Sequence, residues 1–191
     1  FTAGSGKLYA SIDGSGKRKL EWSSETYKYG SQKLRQPVMT AGKKFPWKSG
    51  GYPFFEIQVS TKDYESVSFS AYIGATKKGP KNYQISYATG SSGAFSKISG
   101  ATLSLSDNKS MEKISATLPS AAKNQSLVKI RITASSMTTV EGKSLTDDTT
   151  GGEAAINHIY LKGTRISSSG SENSSGSSSS NNSSSGNSSS D

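Results

Sequence analysis

The feature that most limits what this 191-residue chain can fold into is a two-residue rhythm in its apolar positions. In residues 127–133, Val128, Ile130 and Ile132 fall on one side of an extended backbone, and Lys129, Arg131 and Thr133 on the other. A strand needs that pattern to bury one face and wet the other. The same rhythm returns in 54–59, in 67–73 (where Val67, Phe69, Ala71 and Ile73 share a face) and in 83–87. Fainter runs cover 8–12, 34–41, 95–98, 102–105, 111–117 and 155–162, with Pro37 marking an edge or a bulge in the second of the strands. Helical periodicity is confined to one turn at 120–123, after Pro119. Some ten short strands broken by Gly, Ser, Asn and Pro predict an all-β chain, a two-sheet antiparallel β-sandwich. The connections at 14–25 and 138–152 are too long for tight hairpins, which favours a jelly-roll topology, and no fixed-period repeat points to a propeller.

The rhythm stops before the chain does. From 167 to 191 nearly every residue is Ser, Asn or Gly. Without apolar side chains to bury, such a segment cannot offset the entropy of ordering its backbone. It is expected to be a disordered linker to a neighbouring module, which leaves 1–166 as the folding domain. Glu172 and Asp191 are its charged residues, so leaving it out raises the formal charge from +9 to +11. A basic surface suits a polyanionic partner. There is no Cys, which removes disulfides, cysteine–zinc sites and thiol nucleophiles. The chain opens at Phe1 with no signal-peptide pattern and no span apolar enough to cross a membrane, and is expected to be a processed piece of a secreted, monomeric protein.

The order of these runs has a family likeness. It is carried by Phe54-Phe55-Glu56-Ile57-Gln58-Val59, by Gly79-Pro80-Lys81-Asn82-Tyr83-Gln84-Ile85-Ser86-Tyr87, by Gly93-Ala94-Phe95, by Leu118-Pro119, and by the stretches from Leu127 to Ile132 and from Ala155 to Gly163. Together they resemble the jelly-roll carbohydrate-binding modules and accessory domains of large secreted bacterial polysaccharide-degrading enzymes. The resemblance implies a non-catalytic domain that binds plant cell-wall polysaccharide. The lysine excess is similar to that of the pectin-binding type, whose ligand is homogalacturonan.

The residues themselves offer little catalysis. His158 is the one histidine, in a strand without a nucleophile elbow, and is expected to be packed or half exposed. Asp147 and Asp148 are adjacent rather than opposed across a cleft, as glycoside hydrolysis would need. Tyr160-Leu161-Lys162 is a fragment of a jelly-roll lyase pattern that lacks its partner histidine. Binding is better served. Lys129 and Arg131 alternate on one outer strand face, Lys33 and Arg35 on another, and Lys77, Lys78 and Lys81 crowd the Gly79-Pro80 loop. Trp47 stands among Lys43, Lys44 and Lys48, as a stacking ring or as a loop anchor. These residues are the candidate sites for an anionic polysaccharide; nucleic-acid motifs are absent. Asp147, Asp148 and Glu153, in a Gly-rich loop, could hold a structural calcium, and no other cofactor is expected. A structural or adhesive domain of a surface protein, and a jelly-roll lyase, stay open as alternatives.

Overall fold

Alternate side chains on several strands need one shared dry space, and two facing sheets provide it. The computed structural model describes residues 6–11, 21–22, 26–29, 31–33, 39–41, 54–91, 94–145 and 152–167. Its strands are β1 (Gly6–Ser11), β2 (Glu21–Trp22), β3 (Lys28–Tyr29), β4 (Gln32–Lys33), β5 (Met39–Ala41), β6 (Phe54–Val59), β7 (Tyr64–Ala75), β8 (Asn82–Thr89), β9 (Ser96–Ser104), β10 (Glu112–Thr117), β11 (Val128–Ala134) and β12 (Ala154–Arg165). One sheet runs β1-β6-β11-β8-β9 and the other β10-β7-β12-β5-β2, all pairs antiparallel; β3 and β4 form a separate ribbon. From β6 onward the chain passes back and forth between the sheets, which gives the jelly-roll sandwich expected from the long connections.

The core lies between the sheets. Phe55, Ile57, Ile85, Ile130 and Ile132 come from the first sheet, and Phe69, Ile73, Ile114 and Ile156 from the second. Each is essentially fully buried, a gain of about 1.5–3 kcal/mol per side chain before entropy is counted. Three connections hold the frame: the 3-10 turn Ser120–Ala122 follows Pro119, Thr61 hydroxyl donates to the Ala122 carbonyl at 2.6 Å, and the 76–79 loop is stitched to Glu153 by backbone bonds.

Two readings of the sequence change. Residues 95–98 and 102–105, read as two strands, belong to the single strand β9. It bulges between Lys97 and Thr102, partners of Ser86 and Gln84, and Gly100 turns left-handed there at φ 72°. The Gln84 amide donates to the Ile98 and Ala101 carbonyls at 2.9 and 3.1 Å, so the bulge is bonded from the neighbouring strand. The run 34–41 is strand only at Met39–Ala41, with 34–38 outside the described residues. The Ser/Asn-rich tail from 168 onward also lies outside them.

Tyr83 sits in this core with its hydroxyl unpartnered among the described residues. Burial pushes its phenol far above the ordinary value of 10. The folded chain holds the phenol neutral while the unfolded chain lets it ionise near pH 10. Its share of stability is therefore intact below pH 10 and drains away as the pH rises past it. Tyr83→Phe should leave the urea midpoint at pH 8 unchanged or raise stability by about 1 kcal/mol. It should also flatten the loss of stability between pH 9 and pH 11. A clear destabilisation at pH 8 would mean that the hydroxyl has a partner after all.

Candidate functional site

Alternation places Lys129 and Arg131 on the outer side of the first sheet, as the sequence implies. Antiparallel register aligns Tyr9, Glu56, Arg131, Ser86 and Lys97 in one row across β1, β6, β11, β8 and β9. Within that row the Arg131 guanidinium meets the Glu56 carboxylate at 2.7 Å and lies between the rings of Phe54 and Phe95, 3.7 Å from each centroid. Gln58 donates to the other Glu56 oxygen at 2.7 Å. The Glu56 side chain has no exposure, and that of Arg131 keeps 24%. Arg131 therefore spends its charge on an internal acid and its faces on two aromatic rings. Lys129 is half buried and donates to the Ser91 carbonyl.

The other predicted cations lie elsewhere. Lys77 and Lys78 are exposed, and Lys81 half buried, in the β7–β8 connection. Lys129 is in register with Ala88, at the far end of β8 from Lys81, so roughly 23 Å of strand separates the two lysines. Lys33 pairs with Lys28 in the β3–β4 ribbon, which bridges to Ser110 beside β10 of the second sheet. The structure thus does not bring these lysines into one row. Arg35, Trp47, Asp147 and Asp148 lie outside the described residues. Glu153, 2% exposed, accepts the Tyr27 hydroxyl at 3.1 Å, and no cluster of three metal-ligating side chains occurs among the described residues.

The surface that sequence reasoning missed is the outer face of the second sheet. Register sets three rows there: Lys113–Tyr72–Asn157, Ser115–Ser70–Tyr160 and Thr117–Ser68–Lys162, across β10, β7 and β12. Between Asn157 and Tyr160 β12 carries one more residue than β7, a bulge at which His158 turns left-handed with φ 46°. Histidine is among the few non-glycine residues that enter that region, and a bulge re-aims the side chain next to it. Alternation alone would turn His158 inward; with the bulge it is exposed, Ile159 packs on the core, and Tyr160 is 58% exposed.

Aromatic rings collect around this bulge. Tyr29 and Tyr72 meet edge to face at 4.8 Å, His158 lies 5.7 Å from Tyr29 and 5.8 Å from Tyr72, and Tyr160 runs nearly parallel to His158 at 6.4 Å. Tyr29 is placed from two residues away. Tyr27 is fully buried against Met111 and Ala155, and Gly74 makes room for it, since a Cβ there would come within 2.9 Å of the Tyr27 ring and 2.6 Å of the Met111 sulfur. The Tyr29 hydroxyl donates to that of Tyr72 at 2.9 Å, which holds the Tyr29 phenol above 10, with nearby Lys113 pulling the other way.

A groove of about 700 Å³ continues from these rings. Ser68, Ser70, Ser115 and Thr117 supply its hydroxyls, Tyr160 and Lys162 stand on the β12 side, and the β9 bulge around Gly100 forms the opposite lip. Hydroxyl donors and acceptors, a flat exposed ring and two lysines suit a polyhydroxylated ligand better than an apolar one. Among the described residues the lining carries no carboxylate.

No family model and no curated protein matches the chain. Several solved structures are similar to it. A structure described as CBM4 is 9% identical, with 83% of this chain and 86% of that one aligned at a TM-score of 0.46. The CBM22-2 xylan-binding domain of Paenibacillus barcinonensis Xyn10C is 14% identical over 82% of this chain and 91% of that one, also at 0.46. The CBM22-1–GH10 modules of Clostridium thermocellum xylanase 10B, complexed with xylohexaose, are 12% identical over 76% of this chain, at 0.44. The chain spans 25% of that last structure. Identities this low restrict the likeness to the sandwich itself.

The Arg131–Glu56 pair makes a prediction about the first sheet. Arg131→Met removes the cation that faces the buried Glu56 carboxylate and should cost about 3 kcal/mol in urea unfolding, and adding Glu56→Gln should recover most of it. Lys78→Ala, at an exposed turn, should stay within about 0.5 kcal/mol of the parent. An Arg131→Met protein as stable as the parent would free this arginine for a ligand.

Proposed function

We propose that this chain is a non-catalytic polysaccharide-binding module of a secreted protein, and that its sugar chain lies along the outer face of the second sheet. One observation carries the reading: an open hydroxyl-lined groove runs beside an exposed aromatic strip on a rigid sheet. A sugar offers an apolar ring face for Tyr160 to stack on and hydroxyls for Ser68, Ser70, Ser115 and Thr117 to bond. Such sites work without closing, because a sheet holds its side chains in place before the ligand arrives.

An acidic chain suits this site better than a neutral one. Lys113 and Lys162 line the groove, and the whole chain carries +9. Charge of this kind speeds encounter and selects partners more than it adds affinity, and salt weakens it.

Affinity electrophoresis with polygalacturonate, glucuronate-substituted xylan, unsubstituted xylan and cellulose derivatives in parallel gels tests the reading. The acidic chains should retard the protein most, and added salt should shrink the difference. Tyr160→Ala should weaken binding about five-fold without lowering the melting temperature. No retardation by any chain would end the proposal and favour a structural or adhesive domain. New absorbance from an unsaturated uronate product would overturn the non-catalytic part.

A further inference from the structure

At one end of the groove, groups of a different chemistry converge. Lys113, Tyr72 and Asn157 stand side by side in register on β10, β7 and β12. Tyr29 reaches the same place from β3, and the bulge swings His158 into it. The Tyr29 hydroxyl donates to Tyr72, so the Tyr72 hydroxyl keeps its own proton to donate. We propose that this corner binds the carboxylate of an acidic sugar, with Lys113 as the cation, the Tyr72 hydroxyl as a donor and the His158 ring beside them. The inference rests on the polysaccharide reading and adds to it the subsite that selects for acid.

The chain has one histidine and no cysteine. The rings around His158 are Tyr29 from β3, Tyr72 from β7 and Tyr160 from its own strand, with Lys113 from β10 in register with Tyr72. The acid nearest to it in sequence, Glu153, is buried and turned to the Tyr27 hydroxyl.

The single histidine makes the test direct, because it gives one set of imidazole signals in a proton NMR spectrum. D-glucuronate and D-xylose share a ring and differ by the carboxylate. At pH 6, sodium D-glucuronate should shift the His158 signals saturably, and D-xylose should not. Lys113→Gln, Tyr72→Phe and His158→Gln should each weaken glucuronate about three-fold while leaving the melting temperature in place. Equal shifts from both sugars, or a glucuronate affinity unchanged by Lys113→Gln, would overturn the proposal. Polysaccharide retardation that survives Lys113→Gln leaves the module standing and removes the subsite. Glucuronate shifts without retardation by any polymer do the reverse.

Discussion

Everything on both surfaces depends on the dry layer between the sheets. Phe55, Ile57, Ile130 and Ile132 on one side, and Phe69, Ile73, Ile114 and Ile156 on the other, have no alternative place to go. A slip of one residue in any of these strands would drive the apolar set into water and the polar set into the core. The core therefore fixes register, and register fixes which side chains stand in rows outside. Glu56 meets Arg131, and Tyr160 stands over Ser70, because Ile57 meets Ile130 and Leu161 meets Phe69 one residue away.

Given that rule, the functional features lie where alternation is broken. Besides a register shift between Thr164 and Arg165, two bulges interrupt the ladders, at 97–102 in β9 and at 157–160 in β12. The first pushes Gly100 outward to make a lip, and Gln84 bonds two carbonyls that the ladder has lost. The second exposes His158 directly after Asn157, which a regular strand could not do. The groove lies between these two irregularities. An uninterrupted sheet would present a flat field of serines and tyrosines with nothing to enclose a ligand.

The division between what was legible in the sequence and what was not follows from range. Strands β6, β7, β8 and β11 could be read because each carries its burial pattern within itself. That Arg131 faces outward could be read in the same way, but its partner Glu56 is 75 residues distant, and only the register brings them together. Tyr29 belongs to a strand of two residues and owes its place to Tyr27 beneath it, a contact with no sequence period. The β12 bulge also gave no sign, since its left-handed residue is a histidine rather than the glycine that marks such places. The one available hint was the even spacing of Ile156, His158, Tyr160 and Lys162, which would set all four on one face of a regular strand; the full burial of Ile156 requires the irregularity before Tyr160.

Net charge proved a coarser guide than position. The formal +9 is real, yet its members differ in what they are free to do. Arg131 is committed to Glu56 and two rings, and Lys129 to the Ser91 carbonyl. Lys77 and Lys78 project from a connection at one end of the sandwich, where no aromatic face accompanies them among the described contacts. Lys113 attracted no notice in the sequence and Lys162 only as part of an incomplete lyase pattern, but they share a groove with hydroxyls and an exposed ring. A cation contributes to recognition when something beside it fixes a ligand's orientation, and on this molecule the second sheet sets an exposed ring and four hydroxyls beside Lys113 and Lys162.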